Sequence, residues 1–307
     1  MGVINEVLIL FMIMAAGFYA RRTGMIDAAV NRGLAELLLN ITLPLMILSS
    51  FNVPFDDRMM TIGIKIFLCS VVFHAGSFLL SGVLSRGFSG DIRNVLRFSA
   101  IFSNCAFMGY PVLQSVYGKP GVFYGSIFTV PFIIALWTVG VFIFRGKEEG
   151  FSWRKVVFNP GILAVIAGIT MFVLSWHLPS PVARACDLLG STTTPLSMIL
   201  IGAMLAEMRT RELIGGAAVY YAAFVRLILI PGLAFAVLCL LGFHGTLVGI
   251  CVISLAMPVA ANTAAFAEKF RSDSLFASRC VFVSTLLSVL TIPVFIMLIQ
   301  RFTGSQL

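Results

Sequence analysis

Long apolar runs separated by short polar connections cover nearly the whole chain. Most runs are about as long as the roughly 20 residues that a helix needs to cross a bilayer. None shows the alternating pattern of a membrane β-strand. The chain is therefore predicted to be an all-α polytopic membrane protein with ten transmembrane helices. The predicted spans are residues 3–20, 29–51, 59–85, 92–117, 120–144, 160–177, 182–206, 213–241, 246–268 and 275–300.

The composition supports a membrane protein and excludes several other classes. Hydrophobic residues make up 59% of the 307 residues and charged residues only 11%, whereas soluble domains carry about 25% charged residues. An ordinary soluble enzyme and a disordered chain are therefore excluded. The six cysteines lie in or beside apolar runs without a C-x-x-C pair, so neither a disulfide nor a metal site is expected. No cofactor is expected.

Basic residues are distributed unevenly between the connections, which predicts the orientation. Twelve lie in odd-numbered connections, and four lie in even-numbered connections or at the C-terminus. By the positive-inside rule, the odd connections are cytoplasmic and both termini face outward, in the cytoplasmic (inner) cell membrane. The first span has no cleavage signature and is expected to remain. The net charge of +8 then needs no nucleic acid partner, and the bilayer is the expected surrounding.

Matching motifs indicate an internal repeat. The sequence T-x-P-L occurs at 42–45 in span 2 and at 193–196 in span 7, and Pro-Val occurs at 111–112 and 258–259 in spans 4 and 9. Because each set has five spans, the second set enters the membrane from the opposite side. The halves 1–150 and 151–307 are thus predicted to be inverted five-helix repeats, a plan that is common in secondary transporters.

Spans 4 and 9 are predicted to be broken crossover helices with a binding site between them. Pro111 and Pro258 interrupt the backbone beside small and amide residues. The half-helix that follows each break presents the positive end of its dipole, which attracts anions. No Asp or Glu lies within 100–117 or 246–267. The candidate substrate-binding residues are Asn40, Asn104, Gly109, Pro111, Thr193, Arg226, Pro258 and Asn262.

Some of these residues have a second interpretation. Asn40 and Thr193 could serve helix–helix hydrogen bonds instead of a cavity wall. Arg226, deep in span 8, could balance the substrate charge or extend toward the cytoplasmic surface. A sodium-coupled symporter of the bile-acid type and a non-transporting receptor are the alternative functions. An enzyme is not expected, because no protease or prenyl-transfer motif occurs.

Four motifs resemble the auxin efflux carrier family. They are N-I-T-L-P-L at 40–45, S-N-C-A-F-M-G-Y-P-V-L at 103–113, A-M-P-V-A-A-N at 256–262 and S-T-L-L-S at 284–288. The chain looks like a short bacterial member of the malate or malonate permease kind. The resemblance implies ten helices in two inverted repeats, a scaffold and a transport domain, crossed helices 4 and 9, an elevator-like movement and a homodimer. It also implies that a substrate carboxylate lies near Asn104, at the crossover marked by Pro111 and Pro258.

Overall fold

The computed structural model describes residues 2–145, 153–207 and 216–303, and most of these residues are helical. Six of the described helices are long and apolar enough to cross a membrane: Ala28–Ser50, Asp57–Leu84, Cys105–Phe144, Ser180–Ala206, Ala217–Leu240 and Ser274–Phe302. The chain is therefore an all-helical multi-pass membrane protein, as the sequence predicts.

The described residues include sixteen α-helices and four π-helical turns. The α-helices α1 to α16 are Gly2–Arg22, Ala28–Leu37, Leu43–Ser50, Asp57–Leu84, Gly90–Ile101, Tyr110–Ala135, Val141–Arg145, Trp153–Val157, Pro160–Val173, Ser180–Ser191, Thr193–Ala206, Ala217–Phe224, Ile230–Leu240, Thr246–Ala256, Asn262–Lys269 and Ser274–Thr303. The π-helical turns are Leu38–Thr42, Cys105–Gly109, Leu136–Gly140 and Val225–Leu229.

Polar side chains cap the N-termini of several helices. The Asp27 carboxylate accepts a hydrogen bond from Val30 N at the start of α2. Asp56 caps α4 and Asn159 caps α9 in the same way. Each cap satisfies backbone N–H groups that have no partner within the first turn of a helix.

Prolines account for three of the four π-helical turns. Pro44, Pro111 and Pro231 each lie two residues after a turn, which ends at Thr42, Gly109 and Leu229 respectively. A proline lacks the N–H for the usual bond to residue i−4, and its ring crowds that carbonyl. The wider π turn accommodates the clash without ending the helix, so these three prolines bend continuous helices instead of interrupting them.

The long helical segment Cys105–Phe144 is folded into a hairpin at Gly118. This glycine has φ 63° and ψ −147°, which is far from helical. A Cβ atom at Gly121 would overlap the carbonyl oxygen of Leu113. In a straight helix those two residues would be about 12 Å apart along the axis. The chain therefore reverses at Gly118, between the predicted spans 92–117 and 120–144.

Glycines also bring α1 into close contact with α11. A Cβ atom at Gly17 would overlap the Ile199 backbone, and one at Gly202 would overlap the Met14 carbonyl oxygen. Small residues of this kind allow two membrane helices to approach backbone to backbone. Helix α3 packs on α9 and α10, and α4 packs on α6.

Candidate functional site

Two extended segments, here called the crossover, interrupt the predicted spans 4 and 9 where they meet. Residues 102–104 separate α5 from the helical segment that begins at Cys105, and residues 257–261 separate α14 from α15. Ser103 and Val259 form an antiparallel bridge. Asn104 N donates to Pro258 O at 2.8 Å, and Ala260 N donates to Phe102 O at 3.1 Å. The two breaks thus pair with each other.

Side-chain hydroxyl groups complete the hydrogen bonding of the crossover. Ser103 Oγ donates to Ser254 O at 2.9 Å, and Val259 N donates to Ser284 Oγ at 3.1 Å. Thr263 Oγ1 donates to Ala260 O at 2.6 Å. Non-helical backbone inside a bilayer must find such partners, because lipid offers none. The small polar residues therefore make the two breaks tolerable.

Four helix ends meet at the crossover, and their dipoles differ in sign. Helices α5 and α14 end there, so their last carbonyls carry partial negative charge. The segment that starts at Cys105 and the helix that starts at Asn262 begin there, so their first N–H groups carry partial positive charge. An unbalanced crossover would present both signs to a ligand.

Arg226 neutralises the two negative ends. Its Nη1 donates to Ala100 O at 3.0 Å and its Nε to Met257 O at 3.2 Å, and its Nη2 also contacts Leu255 O. These carbonyls lie at the ends of α5 and α14. The side chain has no exposed surface. The guanidinium therefore lies inside the protein as a cap for both helices.

A cavity of about 330 Å³ lies beside the positive helix ends. Ala106 and Phe107 from one first turn, and Asn262 from the other, line it. A wall of mostly apolar residues from α2, α3 and α6 surrounds these groups. The remaining lining residues are Arg32, Ala35, Glu36, Leu39, Asn40, Leu43, Ile47, Tyr110, Thr129, Phe132, Ile133, Leu136, Trp137, Asn159, Pro160 and Gly161.

The structure brings two of the eight candidate residues into this cavity. Asn262 and Asn40 line it, and Asn40 Nδ2 donates to Glu36 O at 2.9 Å. Asn104 and Gly109 lie beside it: the Asn104 carbonyl accepts hydrogen bonds from Met108 N and Gly109 N. Thus Asn104 contributes to the crossover through its backbone, and its buried side chain is not among the lining groups.

The other candidates have different surroundings. Pro258 lies in the second extended segment, where its carbonyl accepts from Asn104 N. Pro111 lies in the first turn of α6, seven residues after Asn104, so the break precedes it. Thr193 is buried, and its hydroxyl has no hydrogen-bond partner among the described residues. Arg226 lies on the crossover carbonyls and does not line the cavity.

Several lining residues are not among the candidate binding residues, and the sequence pattern of Arg32 and Glu36, an i, i+4 pair at the start of span 2, indicated a structural role instead. Arg32 and Glu36 lie one turn apart on α2 and share a helix face with Asn40, which follows four residues later. This i, i+4, i+8 spacing of polar residues within a predicted span was the sequence signal that could have indicated a polar helix face. Asn159 caps α9 through its side-chain oxygen, and Trp137 adds an aromatic wall. Neither Arg32 nor Glu36 forms an ion pair among the described residues.

Comparison of the sequence with known proteins places the chain in a family. The sequence model of the membrane transport protein family matches residues 2–153 and 149–296, which is nearly the whole chain. The chain is 25% identical, over 95% of its length and 97% of the relative's, to an uncharacterized transporter of Methanothermobacter thermautotrophicus. It is 28% identical to a putative malonate transporter of Rhizobium meliloti, over 48% of this chain and 46% of that protein. It is 22% identical to auxin efflux carrier component 3a of Oryza sativa subsp. japonica, over 45% and 23%.

Proposed function

The chain belongs to the membrane transport protein family of the auxin efflux carriers, and from that premise we propose that it transports small organic carboxylates. The substrate carboxylate lies in the cavity, against the positive helix ends at Ala106, Phe107 and Asn262. The relative named as a putative malonate transporter supports a carboxylate of this size. A cavity of about 330 Å³ has room for such an anion.

One observation carries the proposal: the negative helix ends of the crossover are capped, while the positive ends border the cavity. Arg226 bonds to the carbonyls of α5 and α14. The cavity therefore borders the first turns of two helical segments, whose N-terminal ends are each equivalent to roughly half a positive charge. Such ends bind carboxylates and phosphates in many proteins. Arg32 and Glu36, one turn apart on α2, add one positive and one negative side chain to the described part of the lining, so the helix ends remain the source of net positive potential.

We further propose the finer architecture that the motifs and the resemblance imply. Ten spans form inverted repeats over 1–150 and 151–307, with both termini outside the inner membrane. The reversal at Gly118 supports two separate spans within Cys105–Phe144. In this orientation the cavity opens to the cytoplasm, since Arg32 and Asn159 lie beside the predicted cytoplasmic connections. An elevator-like movement of the crossover then carries the substrate across the membrane.

The proposal is tested by malonate uptake into proteoliposomes containing the purified protein. We expect saturable uptake of malonate and no competition by its neutral diamide, which cannot use the positive helix ends. Loss of a hydrogen bond to a charged group costs about 1.5–3 kcal/mol, which is roughly 10- to 150-fold in affinity. Asn262→Ala should weaken malonate binding by about this factor.

Asn94→Ala is the matched control, because Asn94 lies on α5 outside the cavity. It should leave uptake within about twofold of wild type, as expected for a substitution away from the site. Equal competition by the diamide, or equal effects of the two asparagine variants, would contradict the carboxylate site. Uptake of no carboxylate from a panel of mono- and dicarboxylates would contradict the function itself.

A further inference from the structure

A second cavity, of about 300 Å³, lies at the other end of the helical span that lines the first one. Met46, Ser49 and Ser50 border it on α3, whereas Arg32 borders the first cavity on α2. Arg32 and Ser50 are 18 residues apart in the continuous helical segment Ala28–Ser50, which corresponds to about 27 Å. The far ends of the two cavities, at Arg32 and Ser50, therefore lie at opposite ends of this segment, and the two linings approach each other at Met46 and Ile47.

The two cavities also share a second wall. Tyr110 lines the first cavity, and Gln114, one turn later on α6, lines the second. On α3, Ile47 lines the first cavity and the preceding residue, Met46, lines the second, so the two cavities border different faces of this helix. The two cavities therefore adjoin the same pair of helices, α3 and α6, which also contact each other.

The second cavity already holds a carboxylate, which belongs to the protein. Lys119 Nζ lies 2.6 Å from Asp187 Oδ1, and Ser49 Oγ donates to the same oxygen. Arg184 adds another cation to the lining. The lysine follows the hairpin at Gly118, and the aspartate lies on α10, in the other half of the chain. The ion pair therefore ties the end of the crossover helix to a distant span.

We propose that this second cavity is a carboxylate-binding vestibule, in which Asp187 occupies the position on Lys119 and Ser49 that a substrate carboxylate takes. The proposal rests on the proposed function, because it requires a carboxylate substrate. An arriving carboxylate replaces Asp187 on Lys119, and the link between the crossover helix and α10 is released. The ion pair is suited to exchange, since its side chains are 52% and 34% exposed and exposed pairs are weak.

The test measures malonate protection of a single cysteine, Ser191→Cys, against a hydrophilic maleimide, in protein whose six native cysteines have been replaced. Ser191 lines the vestibule without contacting Lys119 or Asp187 in the described structure. Asp187→Asn should lower the half-protecting malonate concentration by about two- to fivefold, the range expected for an exposed ion pair. Lys119→Gln should raise it by a similar factor.

The double variant separates competition from general electrostatics. If Asp187 acts only by occupying Lys119, then adding Asp187→Asn to Lys119→Gln changes nothing. If the loss of a negative charge acts at a distance, the improvement remains without the lysine, and the proposal is wrong. Arg58→Gln, a charge removal at an exposed residue outside the vestibule, should leave protection unchanged.

Transport is measured on the same proteins, so that the two proposals can fail separately. Malonate uptake without protection of Ser191→Cys overturns the vestibule and leaves the proposed function intact. Protection that follows the Lys119 and Asp187 variants without uptake by wild type supports the carboxylate site and overturns transport of malonate. The absence of both overturns both.

Discussion

Replacing Arg226 by methionine should destabilise the protein strongly, because the guanidinium bonds to three buried carbonyls. They belong to Ala100, Leu255 and Met257. A buried acceptor that loses its partner costs about 1–3 kcal/mol, and the loss of all three is offset in part because a charged group is no longer buried, so we expect a net cost of about 3–5 kcal/mol. For a chain longer than 250 residues, each kcal/mol shifts the melting temperature by about 2 °C. We therefore expect Arg226→Met to melt roughly 6–10 °C below wild type.

The assay is thermal unfolding of purified protein in detergent, followed by intrinsic fluorescence. Arg226→Lys retains the charge but cannot present the same fork of donors, so its loss should be intermediate. Arg58→Met, at an exposed position, should shift the melting temperature by about 1 °C or less. If Arg226→Met melted within 2 °C of wild type, the arginine would not hold the crossover together.

Three further predictions concern the backbone. Gly202→Val should lower the melting temperature, because its side chain would overlap α1, whereas Gly232→Val, with open space around its Cβ, should be milder. Gly118→Ala should cost about 1–3 kcal/mol in the same assay, because its φ of 63° with ψ −147° is a glycine conformation; an unchanged melting temperature would refute the hairpin. Pro258→Ala should reduce malonate uptake more than Pro131→Ala at equal expression, since only the first lies in an extended segment; equal losses would remove its special role.

The positions of the helices follow closely from the sequence because hydrophobic length is a local property. The predicted span 59–85 corresponds to Asp57–Leu84, and the predicted span 275–300 to Ser274–Thr303. The positions of the two helix breaks, by contrast, depend on residues that are distant in the sequence. Proline and small polar residues indicate the right regions, but Pro111 is accommodated by a π turn, and the extended segment lies before it. Which residues leave the helix depends on the pairing of 102–104 with 257–261, and that pairing is tertiary.

The direction of long side chains was the main feature that the sequence could not provide. Arg226 was a candidate for substrate contact, yet its guanidinium bonds to the ends of α5 and α14. Those carbonyls lie more than 25 residues away along the chain, so neither spacing nor periodicity could identify them. Conversely, the i, i+4 spacing of Arg32 and Glu36 indicates only a structural pair, whereas the structure places both residues in a cavity wall that residues of α6 and α9 complete.

The capping of the crossover bears on which ions the protein can use there. Backbone carbonyls at a helix C-terminus are good ligands for sodium, and a pair of such ends would be a natural cation site. Here three of those carbonyls accept hydrogen bonds from Arg226. A cation that coordinated the remaining lone pairs of these carbonyls would lie against a buried guanidinium of the same charge. The polarity of the crossover thus supports the proposed anion at the N-terminal ends instead of a cation at the C-terminal ends.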